Sequence, residues 1–218
     1  MIDRRALIRA TAAGTALGLA GLGRLLAAGR IAEGVHSASG EVRVGATKAA
    51  PGSPVRPGET VVTGPNGKVV FVVGRDAFLV RANSEVRLEK KPGSALLSGL
   101  RIVTGRILSV FAHGEQKSIV TDTATIGIRG TGVYVEAVHD KTYVCTCYGT
   151  VDIVSRDDPA EHETVTTTHH DKPRYVLAKG APRMLMGAPV INHTDAELEL
   201  LESLVGRHPP FEKAPYRY

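Results

Sequence analysis

The stretch Lys68-Val69-Val70-Phe71-Val72-Val73-Gly74-Arg75-Asp76-Ala77-Phe78-Leu79-Val80-Arg81-Ala82 decides the fold class. Two apolar runs flank Gly74-Arg75-Asp76. That is the pattern of a β-hairpin, and its strands are apolar on both faces, as strands in a sandwich core are. Upstream, Gly40-Glu41-Val42-Arg43-Val44-Gly45 reads as a β segment leading into a Pro/Gly-rich turn at Pro51, Gly52, Pro54 and Pro57. Gly58 to Gly64 then forms a short strand closed by Pro65-Asn66-Gly67.

Downstream, short strands are expected near residues 85–88, 96–103, 106–111, 118–121, 132–138, 142–148 and 151–154. They are punctuated by Gly99, Gly105, Gly114, Gly127, Gly130, Gly132 and Gly149. Turn signals at this close spacing predict an all-β fold, a multi-strand sandwich or roll. Residues 157–163 read as a polar loop, and 164–168, 174–178 and 183–186 as further strands. One helix stands out near the end. Thr194-Asp195-Ala196-Glu197 is a capping box. Leu198, Leu201, Leu204 and Val205 form an apolar stripe. Gly206 suits the C-cap, and Pro209-Pro210 stop the helix. His193 and Asp195, at its start, read as capping chemistry.

The first residues, Met1-Ile2-Asp3-Arg4-Arg5-Ala6-Leu7-Ile8-Arg9, carry paired arginines. An Ala/Gly/Leu stretch follows to Gly23, and Ala27-Ala28 offer a cleavage site. This layout resembles a twin-arginine-type signal peptide and implies a periplasmic address. The chain has 218 residues and a net charge of +5. Arg4, Arg5, Arg9, Arg24 and Arg30 face only Asp3 in the first 30 residues, so the remainder is near neutral. A nucleic-acid footprint needs clustered surplus charge, which the remainder lacks. No membrane span is expected after removal of the signal.

Three segments taken in order resemble the FecR domain, a periplasmic sensor domain of iron-dicitrate signalling. They are Gly58-Glu59-Thr60-Val61-Val62-Thr63-Gly64, Leu100-Arg101-Ile102-Val103-Thr104-Gly105-Arg106-Ile107, and Thr121 to Val135 with Arg129-Gly130-Thr131 at its most specific point. The resemblance covers about residues 40–155. It implies an envelope binding or sensing module whose partner is an envelope protein or a small ligand. It also frames the chain as a signal (1–33), a FecR-like β domain (40–155), a β extension with a His pair (156–190), and a C-terminal helix and tail (191–218). Signalling FecR proteins carry a sigma-factor-binding segment and a membrane helix ahead of the domain. Only about 30 residues precede it here, so direct sigma-factor control is not expected. Arg129 is expected to play a structural part, satisfying nearby carbonyls.

The chain departs from that pattern at Tyr143-Val144-Cys145-Thr146-Cys147-Tyr148, which holds its only cysteines. Residues i and i+2 of a strand share a face, so Cys145 and Cys147 project side by side. Their Cα atoms would stand about 6.8 Å apart, at the outer limit of about 6.8 Å for a disulfide. Two thiolates so arranged can chelate a soft metal, and His169-His170 supply the usual second ligand type. Cys145, Cys147, His169 and His170 are therefore candidate ligands for zinc, copper or an iron–sulfur centre. Both histidines can take part only at a strand end or in the turn before Pro173. His139, His162, Met184 and Met186 are spare candidates. A plain pair of buried cysteines and a disulfide or redox role remain open alternatives. No nucleophile motif surrounds the Ser, His or Asp residues, so the sequence offers no catalytic set. Three functions are carried forward: a binding or sensing module with or without a metal, a structural adaptor that docks a partner through its helix, and a small metalloprotein or electron carrier.

Overall fold

The computed structural model of the chain describes residues 32–211. The signal-like segment and the end of the tail lie outside the described residues. Among the described residues, fourteen strands and one helix follow in order. The strands are β1 Gly34–Ser39, β2 Val42–Val44, β3 Thr47–Lys48, β4 Thr60–Thr63, β5 Lys68–Val73, β6 Asp76–Val80, β7 Ser84–Lys90, β8 Leu97–Val110, β9 Lys117–Val120, β10 Ala124–Val138, β11 Lys141–Ser155, β12 His162–Thr167, β13 Arg174–Leu177 and β14 Leu185–Gly187. The helix is α1, Asp195–Leu204. No described helix is long and apolar enough to cross a membrane.

The fold is all-β with a short C-terminal helix, as the sequence predicts. β8, β10 and β11 are long strands that serve two half-sheets. The first halves of β8 and β10 pair with β7, β9 and the end of β11. The second halves pair with each other, with β6, and with the start of β11. β2, β4 and β12 extend one half-sheet, and β1, β5, β13 and β14 the other. All pairings are antiparallel except β8 with β9. One apolar core joins residues of both half-sheets: Val42, Val61, Val86, Leu88, Leu100, Ile102, Ile126 and Val151 meet Phe71, Phe78, Val80, Val133, Val135 and Val144.

The predicted strands 96–103 and 106–111 are thus one strand, and 142–148 and 151–154 another. The glycines that suggested breaks are bends inside continuous ladders. β8 turns at Gly105, whose φ is +103°, and the Arg106 amide donates to Ser84 Oγ there at 3.0 Å. β10 turns at Gly130, φ +63°. Arg129, beside it, bonds the Asp152 carboxylate across the ladder, at 2.7 Å from Nη2 and 3.0 Å from Nε. Its partner is a carboxylate and not the carbonyls expected. Thr131 is buried and its hydroxyl donates to the Thr150 carbonyl at 3.0 Å. The Arg129-Gly130-Thr131 stretch therefore forms the bend of β10.

The hairpin β5–β6 is apolar on both faces for two different reasons. Phe71, Phe78 and Val80 point into the core. Val70, Val72, Ala77 and Leu79 are equally buried but lie outside the core cluster. α1 packs on β6 and β8 and covers this outer face. Leu198, Leu201 and Val205 are its buried anchors. The expected capping box is present: the Glu197 amide donates to Thr194 Oγ1, and the Thr194 amide to the Glu197 carboxylate.

Gly105→Ala tests the corner of β8. An added Cβ would collide with Ser84 Cα and Oγ in a left-handed backbone. We expect a loss of more than about 1 kcal/mol in urea unfolding, with the far-ultraviolet spectrum unchanged.

Candidate metal centre

β11 brings the two cysteines under the helix. Val70, Leu79, Leu108, Tyr134 and Cys145 are paired in turn across five strands, so they form one row on the outer face. Val72, Ala77, Val110, Gly132 and Tyr148 form the next row. Between the rows the register slips. Val133 faces Thr146 and Gly132 faces Tyr148, which leaves Cys147 as the extra residue of a bulge. A side chain on Gly132 would collide with the Tyr148 ring, so glycine is required there. Cys145 and Cys147 are both fully buried and are not joined in a disulfide.

The turn between β12 and β13 supplies the first imidazole. Asp171 Oδ2 accepts from the Thr168 amide and hydroxyl at 3.2 and 3.3 Å and closes the turn. His170 takes a left-handed conformation, φ +54°, and its amide donates to the Cys147 carbonyl at 3.0 Å. This reversal separates the two neighbouring histidines. His170 Nδ1 lies 3.4 Å from Cys145 Sγ. His169 Nε2 turns instead to Asp195, 2.9 and 3.1 Å from its two carboxylate oxygens.

The segment leading into α1 supplies the second imidazole. The Tyr143 hydroxyl donates to the Pro189 carbonyl at 2.9 Å. Arg81 Nη2 donates to the Asn192 carbonyl at 2.7 Å and to Glu197 Oε2 at 2.8 Å. His193 stacks on the Tyr134 ring, with centroids 4.6 Å apart. Its Nε2 comes within 3.0 Å of His170 Nδ1.

Cys145, Cys147, His170 and His193 thus converge, each offering one ligand atom, and these atoms all lie within 4.8 Å of one another. All four residues are buried. His193 takes the place expected for His169. Reading it as part of a helix cap hid it. The available signal was that the one helix had to dock on the apolar strands, carrying the residue before its N-cap with it. The spare candidates stand elsewhere. His139 lies in the turn between β10 and β11, His162 Nδ1 bonds the Ala160 carbonyl, Met184 Sδ accepts from Ser155 Oγ, and Met186 is exposed.

The hydrogen-bond partners fix the tautomers. The Ile191 carbonyl can only accept, so His193 Nδ1, 2.6 Å away, carries a proton and its Nε2 presents a lone pair. Asp195 Oδ1 lies 3.1 Å from His170 Nε2, which carries a proton likewise and leaves a lone pair on Nδ1. Two lone pairs then face each other at 3.0 Å. They repel unless a proton or a metal ion sits against them. Each outward nitrogen is tied to an oxygen, as the outer shell of a metal-bound histidine is.

Electrostatics point the same way. Its hydrogen bond with Cys147, working against burial and helped by His170 and His193, holds the Cys145 thiol far below its ordinary range. Burial, reinforced by Cys145, pushes the Cys147 thiol up. Burial opposes charge on His170, but its bonds to Cys145 and Asp195 outweigh it and raise its pKa. Without metal the surroundings thus favour charge on both Cys145 and His170. The line Cys145–His170–Asp195 also has the order of a nucleophile, base and orienting acid. Cys145 itself is fully buried.

No protein-family model matches the chain, and no curated protein matches it. Two crystal structures of a protein described as "a putative anti-sigma factor" from Parabacteroides distasonis are similar in fold, with TM-score 0.48 and 10% identity. The match spans 59% of this chain and 58% of that one.

Below the centre, Glu202 is buried on α1. Its carboxylate accepts from the Tyr148 hydroxyl and, at 2.6 Å, from Arg207 Nε. Arg207 is partly exposed, so removing the Glu202 carboxylate chiefly leaves the buried Tyr148 hydroxyl without its acceptor. Glu202→Ala is expected to cost about 1–3 kcal/mol in urea unfolding. Glu202→Gln, which keeps acceptor capacity, should cost less, and amide exchange across residues 195–205 should rise in the same order.

Proposed function

We propose that the protein is an exported, non-catalytic binding or sensing module of the cell envelope, and that a single metal ion held by Cys145, Cys147, His170 and His193 staples its C-terminal segment to the β domain. The convergence of four buried ligand atoms within 4.8 Å carries this reading. Two ligands belong to β11, one to the turn before β13, and one to the lead into α1. An ion bound there would cross-link elements far apart in sequence.

Two thiolates and two imidazoles are the donor set of a structural zinc site, and four protein ligands leave no position for a substrate. Separations of 3.0 and 3.4 Å between ligand atoms suit one ion. They leave no room for two irons and their bridging sulfides. Neither Met184 nor Met186 supports a copper site, since one is bonded to Ser155 and the other is exposed. The sensing class rests on the order and spacing of the three FecR-like segments, and the export on the paired arginines.

Metal analysis of the chain purified without chelators tests the reading. We expect about one equivalent of zinc. Cys145→Ser/Cys147→Ser and His193→Ala should each lose it, while His139→Ala keeps it. Chelation should lower stability by about 4 kcal/mol relative to zinc present at a thousandfold its Kd. Metal-free wild type that unfolds identically with and without zinc would overturn the proposal.

A further inference from the structure

His169 is the candidate ligand that the buried centre does not use, and it is not idle. His169 Nε2 lies 2.9 and 3.1 Å from the two oxygens of Asp195, and His170 Nε2 lies 3.1 Å from Asp195 Oδ1. His169, His170 and Asp195 form a second group whose ligand atoms converge within 4.8 Å. The side chains of His169 and Asp195 are 10% and 17% exposed, whereas the four residues of the first group are all buried. The second group therefore lies between the buried centre and solvent, and His170 belongs to both.

We infer that His169, Asp195 and the outward nitrogen of His170 form a second, solvent-exchangeable site for a borderline divalent cation. This inference takes the buried Cys/His reading as its neighbour but makes a separate claim. Nitrogen and oxygen ligands about 2.0–2.2 Å from a zinc-like ion stand about 3 Å apart when they meet at right angles. The observed separations of 2.9–3.1 Å have that value. His169 Nε2 sits near the bisector of the carboxylate, although a single N–H is directed at one oxygen only. Two imidazoles and a carboxylate leave coordination positions open to water, unlike the closed four-ligand set beneath.

Several features build the site. Asp171 closes the turn that sets His169 against Asp195. Phe211 packs on the His169 ring with centroids 4.3 Å apart. Asp195 is the first residue of α1, where Thr194 does the capping and the Asp195 carboxylate faces both imidazoles. The positive end of the helix opposes a cation, and three ligand bonds outweigh it. When the second ion binds, the N–H bond of His170 Nε2 breaks, its proton goes to water, and a nitrogen–metal bond forms. The same imidazole then bridges the two ions. An exchangeable ion beside a locked one would let the occupancy of the outer site follow the metal level of the surroundings.

Titration of the metal-free chain with Co2+ separates the two sites. The first equivalent should bring an intense near-ultraviolet thiolate-to-cobalt band. A second equivalent should add only weak visible bands, with no further thiolate absorption. His169→Ala, with His169→Gln as a second variant and circular dichroism as the check on folding, should keep the first phase and weaken the second at least tenfold. Saturation at one equivalent, or a second equivalent that survives both His169 variants, overturns the inference and leaves the buried centre standing. In Cys145→Ser/Cys147→Ser the thiolate band should vanish while one weak equivalent remains, and this too should depend on His169. A thiolate band that never appears in the wild type sinks the buried centre, and the His169-dependent equivalent then decides the outer site alone.

Discussion

A sheet whose strands are apolar on both faces has to be covered on both faces, and this constraint organises the molecule. The inner sides of β5, β6, β8, β10 and β11 meet the opposite half-sheet. Their outer sides present Val70, Leu79, Leu108, Val110 and Tyr134, all buried. Exposure of such a surface would cost about 25 cal/mol for each Å² left in water. The chain closes it with its last segment: residues 189–193, then α1. The helix has ten residues, too few for stability in isolation. Leu198, Leu201 and Val205 contribute burial, but polar anchors hold the segment in register. These are Arg81 on Glu197 and Asn192, Tyr143 on Pro189, and Glu202 between Tyr148 and Arg207.

The Cys/His cluster belongs to the same problem. It lies in the row that continues from Val70 to Cys145, where an aliphatic residue would ordinarily finish the apolar face. Two thiols and two imidazoles are a poor way to fill an apolar seam, because each nitrogen and each ionised sulfur must be satisfied in a dry setting. The neighbouring chain meets that requirement at the outward nitrogens, through the Ile191 carbonyl and Asp195. On the inward side it leaves facing lone pairs that need a proton or a metal ion between them.

Much of the fold was legible because it is written in short apolar runs set off by turn residues. The hairpin 68–82, the strand-rich run to residue 154 and the capped helix follow from local chemistry. The breaks at Gly105, Gly130 and Gly149 read wrongly as strand ends, since only partners distant in sequence decide whether a ladder runs through a bend. β1 was missed because Gly-Val-His-Ser-Ala-Ser carries no apolar run. At the site, the C-x-C spacing sufficed to put two sulfurs together. Choosing between His169 and His170 was beyond a pattern argument. Strict alternation fails where His170 goes left-handed, and that conformation is set by the Cys147 carbonyl and the Asp171 turn. His193 was invisible for a related reason: its role depends on where the helix docks.

The left-handed backbone of His170 bears on what the site is for. A non-glycine residue held there stores about 1–3 kcal/mol of strain, although histidine tolerates it better than branched residues do. The turn accepts that cost and orients one imidazole so that its two nitrogens face two different environments, one dry and sulfur-lined, the other polar and near the surface. A residue needed only to fill a core would be placed more cheaply in a relaxed conformation. A residue whose two ends must both meet ligand-forming groups has few other ways to be held. The strain and the outward bonds thus share one geometric origin: the turn holds His170 between the buried cysteines and the Asp195 carboxylate.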